Sequence, residues 1–248
     1  MNVPLKILTD LADGFPTDDE VLRKPERYHG DLWRATFVGT DASPASHGRD
    51  DDVAWLLESY PSALSRDQIL GIDHPDPGTR SRRILIASLM WGYGTGGLRF
   101  RGMVDIAALL ADGSLNERLI RCHDGLGQGD VRSAYSALTE IRGIGSAFFT
   151  KFLYFLGRSL DADPEYPLIL DTRVAESLAW LTGYRELVAA ESYRPMNDPE
   201  SYAAYVATMH RWARHLRTTA DAIEFYLWHP PKTSFQSACR RHHASAAE

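Results

Sequence analysis

The sequence predicts an all-α protein, and three of its features support this fold class. Apolar residues recur at intervals of three and four in one segment after another, which is the spacing of one helix face. Glycine and aspartate punctuate the gaps between these segments. Strand signals are few and short, the best of them at 36–40 and 167–170. We therefore expect a bundle of helices joined by short loops.

The helical segments follow one another closely through the middle of the chain. They are predicted at 50–60, 79–92, 103–110, 115–122, 131–141, 146–156, 172–181, 199–216 and 219–228. Residues 27–49 are rich in Gly, Asp, Ser and His, and the last residues are polar. The predicted organisation is an irregular N-terminal segment at 1–49, a helical core at 50–229 and a polar tail at 230–248.

The composition excludes several classes of protein. The 248 residues, 44% of them hydrophobic and 24% charged, suffice for one large domain or two packed lobes. No apolar run could span a bilayer, and acidic residues stand where a signal peptide has its apolar core, so a cytoplasmic protein is expected. Two cysteines, Cys122 and Cys239, exclude a disulfide framework and a four-cysteine iron–sulfur cluster. His47 and His74 have no partner at ligand spacing, so a catalytic metal is not expected. No cofactor is expected either.

The formal net charge of −6 does not favour contact with phosphates, which is mainly electrostatic. A local basic strip can nevertheless bind an anionic partner on an acidic protein. The arginine groups that could form such a strip are Arg80, Arg82 and Arg83, then Arg99 and Arg101, then Arg240 and Arg241.

The segment 138–151, LTEIRGIGSAFFTK, carries the first motif. Two glycines in the GIG sequence at 143–145 permit a tight turn between helices and a close approach of the backbone to a partner. The amide groups at the start of the second helix, aided by its dipole, form an anion site suited to one phosphate. We expect this site to comprise Arg142, Gly143, Ile144, Gly145 and Ser146; the alternative is a plain helix–helix turn.

The segment 166–180, YPLILDTRVAESLAW, carries the second motif. A short apolar run delivers Asp171 to the start of a predicted helix. An aspartate at such a position is most often an N-cap, and a catalytic role is compatible with capping.

Together, residues 131–181 resemble the helix-hairpin-helix DNA glycosylases, with hairpin at 131–157 and catalytic aspartate segment at 166–181. A looser similarity at 83–110 and in EFYLW at 224–228 is to the 8-oxoguanine glycosylase branch. The resemblance implies two helical lobes flanking a base-binding cleft, and a monomer that acts on double-stranded DNA containing a modified base. It implies that Asp171 is catalytic and that hairpin carbonyls can hold a monovalent cation.

The chain departs from the family pattern at Ala147, because bifunctional members carry a lysine two residues after the second hairpin glycine. Lys151 lies one turn further, about 5.4 Å along the helix, and helical side chains lean towards the N-terminus. One interpretation is that Lys151 is the nucleophile, with its pKa lowered by burial, and forms a Schiff base with the sugar. The other is that Lys151 reaches solvent or a phosphate, and Asp171 alone stabilises the sugar cation and orients a water.

An extruded base must be held between flat or apolar groups, for which we expect Trp91, Tyr154 and Trp228. The target base is either an oxidised purine such as 8-oxoguanine or a hypermodified phage base such as a modified cytosine. The second target would make the enzyme an anti-phage defence factor. A third hypothesis is a non-catalytic DNA-binding module that uses only the hairpin.

Overall fold

The computed structural model describes residues 3–39, 43–96, 100–139, 141, 144–162, 164–183 and 198–246. This part of the chain has fourteen α-helices and one antiparallel pair of two-residue strands, which confirms the all-α class. The strands are β1 (Glu26–Arg27) and β2 (Ala63–Leu64). Within the described residues, no helix has both the length and the apolar character needed to cross a membrane.

The helices begin and end as follows. They are α1 (Val3–Leu11), α2 (Asp18–Arg23), α3 (Gly30–Phe37), α4 (Asp51–Ser59), α5 (Arg66–Leu70), α6 (Pro77–Tyr93), α7 (Phe100–Leu110), α8 (Leu115–Gly127), α9 (Val131–Thr139), α10 (Ser146–Leu160), α11 (Thr172–Thr182), α12 (Pro199–Leu216), α13 (Ala220–Trp228) and α14 (Lys232–Ala246).

Aspartate side chains fix the start of several helices. Asp50, Asp76, Asp171 and Asp198 each accept hydrogen bonds from amide groups in the first turn of the helix that follows. An acidic side chain satisfies these amides, which have no partner inside the helix, and also interacts favourably with the helix dipole. The aspartates seen between apolar segments therefore mark the starts of helices.

The chain divides into two compact units, which we call the hairpin unit (Leu22–Pro167) and the aspartate unit (Met1–Val21 with Leu168–Glu248). In the hairpin unit, α6 is the central helix and packs against α4, α8 and α10. Its residues from Ile84 to Met90 are all buried, so this stretch of the helix is surrounded by protein on every side.

In the aspartate unit, α1 packs against α11 and α14, while α13 packs against α11 and α12. The extended residues before α11 are fixed by two tyrosines of α12. The hydroxyl of Tyr202 donates to the carbonyl of Leu168 (2.7 Å), and that of Tyr205 donates to the carbonyl of Ile169 (2.8 Å). These bonds hold the run that leads to Asp171.

The two ends of the chain differ from the sequence prediction. The segment expected to be irregular contains α1, α2 and α3, and the segment expected to be a polar tail contains α14. Short helices gain most of their stability from tertiary packing. Ile7 and Trp33 are fully buried in α1 and α3, and α14 buries Phe235 and Cys239, which are four residues apart on one face.

Candidate active site

The second helix of the predicted hairpin, α10, begins where the sequence indicates. Gly145 is its N-cap residue, and the carbonyl of Gly145 accepts from the amides of Phe148 (2.9 Å) and Phe149 (3.2 Å). Ile144 is 7% exposed, so its side chain is anchored in protein. Arg142 and Gly143 lie outside the described residues. From Ile144 onward, the chain has a buried isoleucine followed by a helix start whose first amides suit an anion.

A monovalent cation at the hairpin would need backbone carbonyls that are not engaged in the helix. The carbonyl of Gly145 is engaged by two amides of α10, and residues 140, 142 and 143 are not among those described. In the described part of the chain, no group of three or more His, Cys, Asp or Glu side chains could hold a metal ion.

Lys151 lies on α10 and is 7% exposed. Its amine reaches back one turn and donates to the carbonyl of Ala147, with Nζ 2.8 Å from the oxygen. The same Nζ is 5.4 Å from the ring centre of Phe148. The amine therefore lies at the level of position 147 on the helix. By the resemblance described above, this is the position at which bifunctional glycosylases carry their lysine.

Gly92 makes room for this lysine. A Cβ atom at Gly92 would lie 2.9 Å from Cδ of Lys151 and 3.2 Å from the ring of Phe148. Both distances are shorter than ordinary carbon–carbon contacts of about 3.5–4.0 Å. Tyr93, next along α6, stacks on Phe148 with ring centres 4.1 Å apart. The glycine-rich end of α6 and the first turns of α10 thus enclose the aliphatic part of Lys151.

Trp91 and Tyr154, two of the predicted base-pocket residues, both lie close to an arginine that the sequence did not single out. The guanidinium carbon of Arg66 is 5.4 Å from the ring centre of Trp91 and 5.0 Å from that of Tyr154. Arg66 is 2% exposed and Tyr154 is fully buried. The hydroxyl of Tyr154 accepts from Arg158 (2.9 Å). No local sequence pattern marks Arg66 as buried, because its burial comes from contacts with α6 and α10.

Asp171 is the N-cap residue of α11, as the sequence indicates. Its Oδ1 accepts from the amides of Arg173 (3.0 Å) and Val174 (3.1 Å), and the residue is half-buried. Before it, Pro167 packs against Gly157 of α10 so closely that a Cβ there would lie 2.5 Å from the proline ring. Capping fixes the direction of the carboxylate, which a structural role and a catalytic role both require.

The third predicted base-pocket residue, Trp228, ends α13 in the aspartate unit. The guanidinium carbon of Arg173 lies 5.2 Å from its ring centre. Trp228 and Asp171 thus belong to one unit, whereas Trp91, Lys151 and Tyr154 belong to the other.

The arginine strip at 80–83 is not available to a DNA phosphate, contrary to what the sequence led us to consider. Arg82 forms ion pairs with Asp50 and with Asp52 (2.8 Å), and Arg83 pairs with Asp52 (2.8 Å). Arg80 donates to the backbone carbonyls of Ile72 and Ser159. The three arginine side chains are therefore engaged in contacts within the protein.

Of the other candidates, Arg99 and the side chain of Arg101 lie outside the described residues. Arg240 and Arg241 on α14 are exposed, and Arg240 lies 5.9 Å from the ring centre of Trp180. Among the described residues, Arg240 and Arg241 on α14 therefore remain as the candidate basic strip for binding a DNA phosphate.

A family model described as "Putative 8-oxoguanine DNA glycosylase OGG-like protein" matches residues 19–228. The comparison with curated proteins finds no match, and neither does the comparison with solved structures. The matched region contains the hairpin, Lys151 and Asp171, and it ends at the last residue of α13. It covers most of the chain and confirms the resemblance drawn from the two motifs. The chain belongs to the OGG-like 8-oxoguanine DNA glycosylase family.

Proposed function

We propose that the protein is a monomeric glycosylase that extrudes a modified base from double-stranded DNA and cleaves its N-glycosidic bond. The observation that carries the proposal is the position of Lys151, whose Nζ lies 2.8 Å from the carbonyl oxygen of Ala147. A family member without the lysine at position 147 thus still has an amine at that level of the helix. The family itself indicates DNA as the partner.

Asp171 is the proposed stabiliser of the sugar cation. As the N-glycosidic bond breaks, positive charge develops on C1′ and the ring oxygen of the sugar. A carboxylate held in a fixed direction by amides of Arg173 and Val174 needs no reorganisation to meet that charge. The same carboxylate can orient a water for attack if the enzyme is monofunctional.

Lys151 is the proposed nucleophile. Its neutral amine forms a bond to C1′ while the bond from C1′ to the base breaks, and the departing base keeps that electron pair and takes up a proton. Loss of a proton from the nitrogen and opening of the sugar ring then give a Schiff base. Burial beside Phe148 keeps water from the amine, which favours attack by nitrogen over hydrolysis.

The indole of Trp91 is the proposed flat contact for the extruded base. Its Nε1 is buried and has no hydrogen-bond partner in the described part of the chain. Tyr154 is fully buried, so its proposed role is to position Arg66 beneath that indole rather than to touch the base.

A borohydride trapping experiment on a panel of modified duplexes tests this function. The panel contains 8-oxoguanine and hypermodified cytosines, and each duplex is assayed for released base and for a covalent adduct. We expect Lys151→Ala to remove the adduct and Asp171→Asn to slow base release by about 10²–10³-fold. Lys6→Ala, at an exposed lysine of α1, is the matched control and should trap as the wild type does.

The panel also separates the alternatives. Free base without an adduct would show a monofunctional enzyme and would refute the role of Lys151. DNA binding with neither base release nor adduct would indicate a non-catalytic module and refute the proposed function. Anti-phage defence is the second candidate, favoured by the altered nucleophile position at Ala147. Equal protection of cells by wild type and Asp171→Asn against phages with modified DNA would rule it out.

A further inference from the structure

The aspartate unit contains a pocket of about 490 Å³ between α11, the end of α13 and α14. This volume lies within the range of about 300–1,000 Å³ found for small-molecule sites. Aromatic side chains form much of its lining, namely Trp180, Trp228 and Phe235. The two indoles are half-buried, so each keeps surface for a ligand.

Residues on both sides of the family boundary build this pocket. Arg173, Trp180 and Trp228 lie inside the region matched by the family model, which ends at residue 228. Lys232 and Gln236 on α14 lie beyond it. The pocket therefore includes residues that the family match does not cover.

Asp171 is not among the residues that line the pocket. Its lining residues on this helix include Arg173, Glu176 and Trp180, which follow one another at intervals of three and four and share a face. A ligand that fills the pocket therefore lies along the side of α11, whereas the Asp171 carboxylate caps the N-terminal end of this helix.

The lining combines cations with aromatic planes. Arg173 lies over Trp228, and Arg240, which is not a lining residue, lies over Trp180. Lys232 is exposed and adds a further positive charge, against the single carboxylate of Glu176. Aromatic rings that stack on a base, beside cations that bind its phosphate, are the usual means of holding unpaired nucleotides.

We propose that this pocket binds one unpaired nucleotide of the DNA, other than the nucleotide whose base is excised. Its base stacks on Trp228 and its phosphate contacts Arg173 and Lys232. The inference rests on the proposed function in that it takes DNA as the ligand. It assigns Trp228 to this second nucleotide rather than to the base pocket predicted from the sequence.

Fluorescence anisotropy with two labelled duplexes tests the proposal. One duplex is fully paired, and the other is the same duplex with one bulged thymidine. We expect the wild type to bind the bulged duplex about tenfold more tightly, which is the size of one base–aromatic stack. Gln236→Trp, which fills the pocket, and Trp228→Ala, which removes the stacking plane, should both abolish this preference.

Arg241→Ala is the matched control, because it removes an exposed charge of α14 outside the pocket. It should weaken binding of both duplexes equally and keep the preference. A wild type with no preference, or a preference that survives either pocket variant, overturns the proposal. The measurement needs no base release, so failure of the proposed function would be seen separately, in the trapping assay. Loss of base release in Gln236→Trp with an intact bulge preference would also overturn it.

Discussion

Replacing Gly92 with alanine would place a methyl group against the side chain of Lys151. The new Cβ would lie 2.9 Å from Cδ and 3.3 Å from Cε of the lysine. Ordinary contact between carbon atoms is about 3.5–4.0 Å, so the lysine must shift by roughly 1 Å. The flexible end of the side chain gives way, and the amine leaves its place beside the carbonyl of Ala147.

The expected effect on activity is large and the expected effect on stability is small. A displacement of about 1 Å at a reacting group costs on the order of 10²-fold in rate. Alanine in a helix is about 1 kcal/mol more favourable than glycine, and this offsets part of an overpacking cost of about 1–3 kcal/mol. The free energy of unfolding of Gly92→Ala should therefore stay within about 2 kcal/mol of the wild-type value.

The assay is the single-turnover rate of borohydride trapping, with urea unfolding measured on the same samples. Gly127→Ala is the matched control, because Gly127 ends α8 and a Cβ there would meet nothing within 4 Å. The control should trap as the wild type does. Trapping by Gly92→Ala at the wild-type rate would refute the reasoning, since the position of the Lys151 amine would then not matter.

Three further predictions concern the scaffold. Burial would raise the pKa of Asp50, but hydrogen bonds led by that from Arg82 outweigh burial and lower the pKa. Arg82→Ala should therefore cost about 2–3 kcal/mol at pH 7. In urea unfolding, the difference in free energy of unfolding between the wild type and Arg82→Ala should shrink at pH 3. The stabilisation is present above about pH 4 and is lost as the pH falls through the lowered pKa of Asp50. An equal difference at both pH values would contradict this. Gly157→Ala, whose Cβ would lie 2.5 Å from the ring of Pro167, should destabilise by about 2–3 kcal/mol in thermal unfolding, and an unchanged Tm would contradict the contact. Both cysteines are buried, and burial raises the pKa of Cys239 to about 11, so neither thiol should react with a disulfide reagent at pH 8 before the protein unfolds.

The sequence by itself determined the fold class, the hairpin helix starting at Ser146, and the cap at Asp171. These features depend on neighbours along the chain: helical periodicity, a glycine-rich turn and an aspartate before a helix. Local patterns of this kind can be recognised without knowledge of the tertiary structure. The family follows from the same two motifs.

Only the tertiary structure decided which side chains these elements bring together. The space for Lys151 comes from Gly92, which is far away in the sequence, and the burial of Arg66 comes from two helices that pack on it. The same holds for Arg82, which was a candidate for DNA binding in the sequence but forms ion pairs with Asp50 and Asp52 in the structure. The polar segment at 232–246 became a helix because its narrow apolar face has a neighbour to cover it. Contacts between distant residues set each of these outcomes, and a single sequence carries no local signal for them.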